Sequence, residues 1–308
     1  MRDAFSNTLV RLALADPKVL LLTGDHGYAL FDEFRKRCPD QYINAGIAEQ
    51  NMVGMAAGLA RVGFRPFVYG LAAFVPIRTV EQIKLDIAHD DLPVVLLGDG
   101  AGFVYSHLGT SHQSTEDIAC TRAIPGLQVL SPADRYEMTA CMEYAYATKG
   151  PVYLRMGKSD RGDVHAGPID ITQGNLLQVR EGRPGCVAFV ATGSMVKTAV
   201  QVADTHFAEA SVWSVPSIKP VNAAGIARIC SNSAAVVTME EHTTAGGLGS
   251  LVAEIAAEQA PVRMLRIGVP DRFSEHCGTY EYLLCEHGLD AVAVQTKVQA
   301  FLNTMLSR

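Results

Sequence analysis

One stretch of the chain concentrates residue types that could do chemistry: Asn44-Ala45-Gly46-Ile47-Ala48-Glu49-Gln50-Asn51-Met52. It puts a single carboxylate, Glu49, at the first turn of a helix with Ala, Gly and Met around it. An acidic residue there complements the helix dipole, worth roughly 0.3–1 kcal/mol; the alternative is a carboxylate held in place for function. Gly98-Asp99-Gly100 follows a strand, and a Gly-rich strand end invites a phosphate or a metal. Three letters are a weak signal, no G-x-G-x-x-G opens a helix and no Walker A motif occurs, so Asp99 reads as a strand-end turn. The nine His are a third source of chemistry, because an imidazole near neutral pH can give and take a proton. His26 follows a strand end as Asp25-His26-Gly27, while His107 and His112 share one loop. The seven Cys are dispersed without C-x-x-C pairs, which indicates reduced thiols and no zinc site.

Such groups need a frame to hold them. Val19–Leu22, Pro66–Tyr69, Val94–Leu97, Leu127–Leu130 and Val152–Arg155 are short apolar runs that read as buried strands. Between them lie helical segments at Ala4–Ala15, Glu49–Arg61, Ile77–Ala88 and Arg135–Thr148. Unbroken apolar strands alternating with helices predict a parallel sheet covered on both faces. The texture changes around Gly157–Gly185, where Gly, Pro and charge accumulate without periodicity. The rhythm then resumes with Val187–Ala191, Met195–His206, Ser211–Val215, Ala235–Met239, Leu248–Glu258 and Val262–Ile267. The expected architecture is α/β: two tandem domains with mainly parallel sheets, at 1–160 and 186–308, joined by a linker at 161–185.

At 308 residues, 48% apolar and 19% charged, the chain has material for two cores and no compositional case for disorder. Its formal charge of −6, without a basic run, argues against nucleic acid or an anionic membrane as partner. No apolar stretch is long enough to span a bilayer, and Met1-Arg2-Asp3-Ala4-Phe5 does not read as a signal peptide, so a cytoplasmic location is expected.

Gly46-Ile47-Ala48-Glu49-Gln50 followed by Ala56-Ala57-Gly58-Leu59-Ala60 resembles the pyrimidine-binding domain of the transketolase family. Further stretches agree in order and spacing: Thr23-Gly24-Asp25, then Phe74 ahead of Arg78-Thr79-Val80-Glu81-Gln82-Ile83, then Gly109-Thr110-Ser111-His112. Ser131-Pro132-Ala133-Asp134 and Gly150-Pro151-Val152-Tyr153-Leu154-Arg155 follow, and Glu240-Glu241-His242 with Gly246-Gly247-Leu248-Gly249 is similar to the family's C-terminal domain. The resemblance implies thiamine diphosphate as cofactor. It implies that Glu49 hydrogen-bonds the ring nitrogen N1′ of the aminopyrimidine, in an apolar setting that lets a carboxyl share a proton. It also implies that Phe74 stacks on that ring, that Asp25 faces the cofactor, and that His112 faces the substrate carbonyl. Arg2, His26, His107 and Lys158 become candidate substrate contacts. The remaining imidazoles, His165 and His242 among them, are expected to be surface or structural.

The chain departs from the family in ways that bear on partner and substrate. The family's Gly-Asp-Gly supplies one Mg²⁺ ligand and an Asn some two dozen residues later another; here no Asn lies between Gly100 and Asn175. No metal ligand is therefore assigned, and the resemblance implies a companion N-terminal subunit that carries the diphosphate and Mg²⁺, in an α₂β₂ assembly. Substrate positions also differ: Gly100 stands for a His, Leu108 for an Asp, Thr110 for a Pro and Lys158 for an Arg, and Lys lacks the bidentate fork. The expected function is a β-type subunit transferring a two-carbon ketol or acyl unit to an aldehyde or carbonyl acceptor of specialised kind. The alternatives are the β subunit of a 2-oxo acid dehydrogenase and a non-catalytic partner subunit.

Overall fold

The computed structural model describes residues 1–158 and 160–306. Its strands are β1 (Val19–Thr23), β2 (Tyr42–Asn44), β3 (Arg65–Leu71), β4 (Val95–Asp99), β5 (Gln128–Leu130) and β6 (Val152–Met156). They continue with β7 (Leu177–Arg180), β8 (Val187–Ala191), β9 (Ser211–Ser214), β10 (Ser217–Lys219), β11 (Ala235–Thr243) and β12 (Arg263–Val269). The helices are α1 (Arg2–Ala15), α2 (Asp32–Arg37), α3 (Glu49–Arg61), α4 (Val75–Arg78), α5 (Val80–Gln82), α6 (Asp117–Arg122) and α7 (Arg135–Ala147). The second half adds α8 (Met195–His206), α9 (Ala223–Ser231), α10 (Leu248–Gln259), α11 (Tyr280–His287) and α12 (Ala291–Leu306).

The strands form two sheets, and the fold is α/β with mainly parallel pairing. The first runs β10-β5-β6-β4-β3-β1-β2, the second β12-β11-β8-β9-β7. In β1, β4 and β6 every residue is buried, as an apolar strand covered on both faces requires. Each sheet has one antiparallel edge that apolar runs do not disclose. β7 lies inside the expected linker and pairs with β9, its half-buried residues alternating too weakly to stand out. β10 comes from the second half of the chain but pairs with β5, closing the edge of the first sheet. There Lys219 Nζ donates to the carbonyl of Arg122 at 2.9 Å and to that of Ile124.

The segment Ile77–Ala88 is not the single helix that its pattern suggests. It is divided into α4, α5 and a π-helical turn at Ile83–Ala88. Buried Thr79 bends its hydroxyl back onto the carbonyl of Val75, a local bond that competes with the helix ladder. Arg78 is the last residue of α4, directly before the break.

Helix α7 shows how the post-β6 segment is tied down. Asp134 caps it through the Tyr136 and Glu137 N–H groups, both at 2.9 Å, and its second oxygen accepts from the N–H groups of Val164 and His165. The His165 ring meets Glu137 at 2.9 Å. Burial alone would push this imidazole down, but the hydrogen bond and charge of Glu137, with Asp134 and Asp163 behind it, carry it above its ordinary value. A raised pKa contributes stability below the unfolded value that is lost as pH rises through the folded one. His165→Gln should therefore be less stable than wild type near about pH 5 and converge with it near about pH 9. Urea midpoints at the two values test this; a gap independent of pH would refute it.

Candidate active site

Parallel strands deliver their C-terminal ends to one edge, where open α/β sheets bind ligands. The loops after β1 and β3, the 100–114 loop after β4 and the N-terminus of α3 meet there. Glu49 is the first residue of α3 and 8% exposed, with fully buried Met52 one turn on. It borders a hollow of about 460 Å³ lined by Ile47, Ala48, Gln50, Asn51 and Arg78. Arg78 Nη1 lies 3.2 Å from Glu49 Oε1, and the same guanidinium stands 3.9 Å over the Phe74 ring. The Phe74 ring is met edge-on by His112, with centroids 5.2 Å apart, and by His26 at 6.3 Å. The His112 Nδ1 is 3.0 Å from Ser111 Oγ.

Glu49, Phe74, His26 and His112, expected at the site, thus lie together with Arg78, which was not expected. Its signal was in the sequence: Arg78 is four residues after Phe74, the spacing at which helical side chains meet. Asp25 is exposed at the β1 end in the left-handed region, φ 61°, where Asp is tolerated better than most residues. Its N–H donates to Asn44 Oδ1 at 3.2 Å and its carboxylate accepts from Tyr28 at 3.2 Å, so it organises the loop beside β2. His107 is exposed on the 3₁₀ turn Ser106–Leu108.

Arg2 and Lys158 lie further along, on partners of their own. Arg2 sits 3.7 Å from buried Asp99, which also accepts from Tyr69 at 2.6 Å and Tyr105 at 2.9 Å. Burial and the Asp99 charge hold both phenols above their ordinary range. This gives Asp99 a strand-end role fixed by two hydroxyls. Gly100 has φ +77°, and a Cβ there would fall 2.0 Å from the Tyr105 ring, so a side chain would have to displace that ring. Lys158 pairs with Asp160 at 3.1 Å and stands 5.4 Å from the Tyr280 ring of α11.

The Glu240-Glu241-His242 stretch fixes the loop that carries His112. Glu240 caps α10 through the N–H groups of Leu248 at 2.7 Å and Gly249 at 2.8 Å. Glu241 accepts the Phe103 N–H at 2.6 Å and the hydroxyls of Ser194 and Tyr280. His242 Nε2 accepts from the Ala119 N–H at 3.2 Å, and its Nδ1 donates to the Thr243 carbonyl. Among the described residues no group of three or more His, Cys, Asp or Glu is arranged to hold a metal ion, and no helix is long and apolar enough to cross a membrane.

Residues 1–162 match the family model of the transketolase pyrimidine binding domain, and residues 174–294 that of the transketolase C-terminal domain. The chain is 33% identical over 294 residues to an apulose-4-phosphate transketolase subunit of Phocaeicola vulgatus, covering 94% of this chain and 93% of that one. It is 34% identical to the 6-deoxy-6-sulfo-D-fructose transketolase subunit SqwH of a Clostridium species, over 94% and 91% of the two chains. A solved split-gene transketolase, described as an inactive β₄ tetramer, superposes with a TM-score of 0.88 at 36% identity, covering 98% of this chain and 97% of that one.

Proposed function

The chain belongs to the transketolase family and is a β-type subunit of a thiamine-diphosphate-dependent transketolase-like enzyme; from that premise we propose that Glu49, Phe74 and His112 are its working groups and that a companion subunit completes the site. The observation that carries this reading is the pairing of Glu49 and Phe74 across one planar cation. A carboxyl group at the edge and an aromatic face, close enough for one flat group to touch both, are what an aminopyrimidine ring needs. When bound, thiamine diphosphate supplies the electron sink for breaking and making the bond beside a ketose carbonyl. With it bound, Glu49 would share a proton with the pyrimidine ring nitrogen, Phe74 would hold the ring by its face, and His112 would give and take protons at the substrate oxygen, with His26 a substrate contact beside it.

The diphosphate and Mg²⁺ do not fit this chain's own strand end, because Asp99 is already engaged by two tyrosines and Arg2. We assign them to a companion chain in an α₂β₂ cytoplasmic enzyme. Ile47, beside Glu49, is 74% exposed, and positions where a Cβ would be added at Gly54 and Gly58 of α3 meet nothing within 4 Å, which suits a covering partner. Arg2 and Lys158, with His107 on the facing loop, are proposed substrate contacts. The Gly100 and Leu108 departures, and relatives named for apulose 4-phosphate and a sulfo-sugar, favour a specialised sugar substrate in carbohydrate metabolism.

The test is calorimetric. Thiamine diphosphate with Mg²⁺ should bind tightly only after this chain is combined with the product of the adjacent open reading frame. The assembled enzyme should turn over ordinary pentose-pathway phosphates poorly. Tight binding by the isolated chain would overturn the split site, and ordinary transketolase rates on those sugars would overturn the specialised substrate.

A further inference from the structure

Resting on that reading of the site, we propose that Arg78 is the resident occupant of the pyrimidine seat: its guanidinium stands in for the aminopyrimidine in the cofactor-free chain and must swing out when the cofactor enters. The guanidinium is planar, delocalised and rich in N–H donors, and it stacks on aromatic rings. It meets both groups by which the ring would be held. One nitrogen faces Glu49 Oε1 at 3.2 Å and the guanidinium carbon lies 3.9 Å from the centre of the Phe74 ring. At that stacking distance no second ring fits between Arg78 and Phe74, and one face of Phe74 cannot serve both.

The geometry also says which part moves. The Arg78 N–H donates to the Phe74 carbonyl at 2.9 Å, and the Arg78 carbonyl accepts from Gln50 Nε2 at 3.3 Å, so the backbone is tied to both walls of the seat. The side chain is 49% exposed, which leaves an exit to solvent. Held in place, Arg78 gives the nearly buried carboxylate of Glu49 a partner until the ring arrives; an unpaired buried charge would be costly. The consequence is a lowered affinity, because a site competent only when Arg78 has left binds in proportion to the vacated fraction. Capture of the cofactor then depends on the diphosphate contacts of the companion chain, which couples loading to assembly.

Two measurements test this. Thiamine diphosphate is titrated into the assembled enzyme carrying Arg78→Met or Arg78→Lys. The Met variant should bind about tenfold tighter than wild type, equivalent to ~1.4 kcal/mol, and the Lys variant should fall between, since it keeps the charge and loses the plane. In the chain alone, a urea double-mutant cycle of Glu49→Gln with Arg78→Met should show non-additive stability, the Gln substitution being destabilising only when Arg78 is present. Unchanged or weaker binding by Arg78→Met would overturn the proposal, as would additivity in the cycle. Failure of the proposed function is separate: wild-type assembly would then not bind thiamine diphosphate at all, while the cycle still reads the Arg78–Glu49 contact.

Discussion

Glu49→Gln is expected to cut turnover of the assembled enzyme by about a thousandfold, within the range for loss of a positioned proton-transfer group, with fold and assembly intact. The substitution is nearly isosteric, so it removes charge and proton affinity and leaves the volume. If Glu49 only complemented the α3 dipole, its loss would cost roughly 0.3–1 kcal/mol of stability and nothing in rate. The surroundings favour the larger consequence. The carboxylate is 8% exposed, borders an open hollow, and faces a cation that also covers Phe74. Arg78, half-exposed, can re-solvate when its partner is neutralised, so the fold should lose no more than about 1 kcal/mol. Turnover at saturating cofactor, a thermal melt and sedimentation of the complex decide the matter. Turnover within a few-fold of wild type would refute the role.

The convergence of Glu49, Phe74, His26 and His112 was legible because it follows from topology. Parallel strands send the loops after β1 and β3 and the N-terminus of α3 to one edge, whichever residues line the core. The helices Glu49–Arg61 and Met195–His206 start and stop where their patterns do. The place of Arg78 showed in the sequence only as its four-residue spacing from Phe74, because Ile77–Ala88 has the apolar spacing of one helix and the Thr79 back-bond that accompanies the break is not visible there. β7 and β10 escaped for a different reason. Short antiparallel edge strands carry mixed residues, and β10 pairs across 87 to 90 positions of sequence, which no local pattern reports. The burial of Glu240, Glu241 and His242 ran against their polarity. Glu240 is satisfied by the N–H groups at the start of α10, and Glu241 and His242 take N–H groups from the distant Phe103 and Ala119, partners that exist only once the chain has folded.

The second large effect is expected at Asp117, a residue outside the candidate site. Arg155 and Asp117 are buried to 2% and 0% exposure, and the guanidinium Nε meets the two carboxylate oxygens at 2.8 and 3.1 Å. Tyr153 donates to the same carboxylate at 2.6 Å, and Arg155 Nη2 donates to the Glu241 carbonyl at 2.7 Å, reaching into β11 of the second sheet. Burial opposes the arginine's charge, yet Asp117 holds its pKa above the ordinary value, so the cation persists. Asp117→Ala would strand it without its counter-ion in a site closed to water. Breaking one side of a buried pair costs about 3–5 kcal/mol, against a total stability of roughly 5–15 kcal/mol. A loss of that size should shift the urea midpoint steeply. Removing both charges together, as Asp117→Leu with Arg155→Met, should be far milder, because no buried charge is then left alone. The position of the pair predicts more than a lower midpoint. It joins α6 and β6 to the strand whose Glu241 pins Phe103, and the loop from Gly102 to Ser114 carries His112. Trp213, the only tryptophan, lies in β9 of the second sheet and reports on that domain by its emission, whereas far-ultraviolet circular dichroism reports on the whole chain. In wild type the two transitions should coincide. In Asp117→Ala they should separate, since the arginine that ties the second domain to the first would lose the carboxylate that positions it. A coincident transition shifted by less than about 1 kcal/mol would show that the pair neither stabilises the fold nor couples the domains.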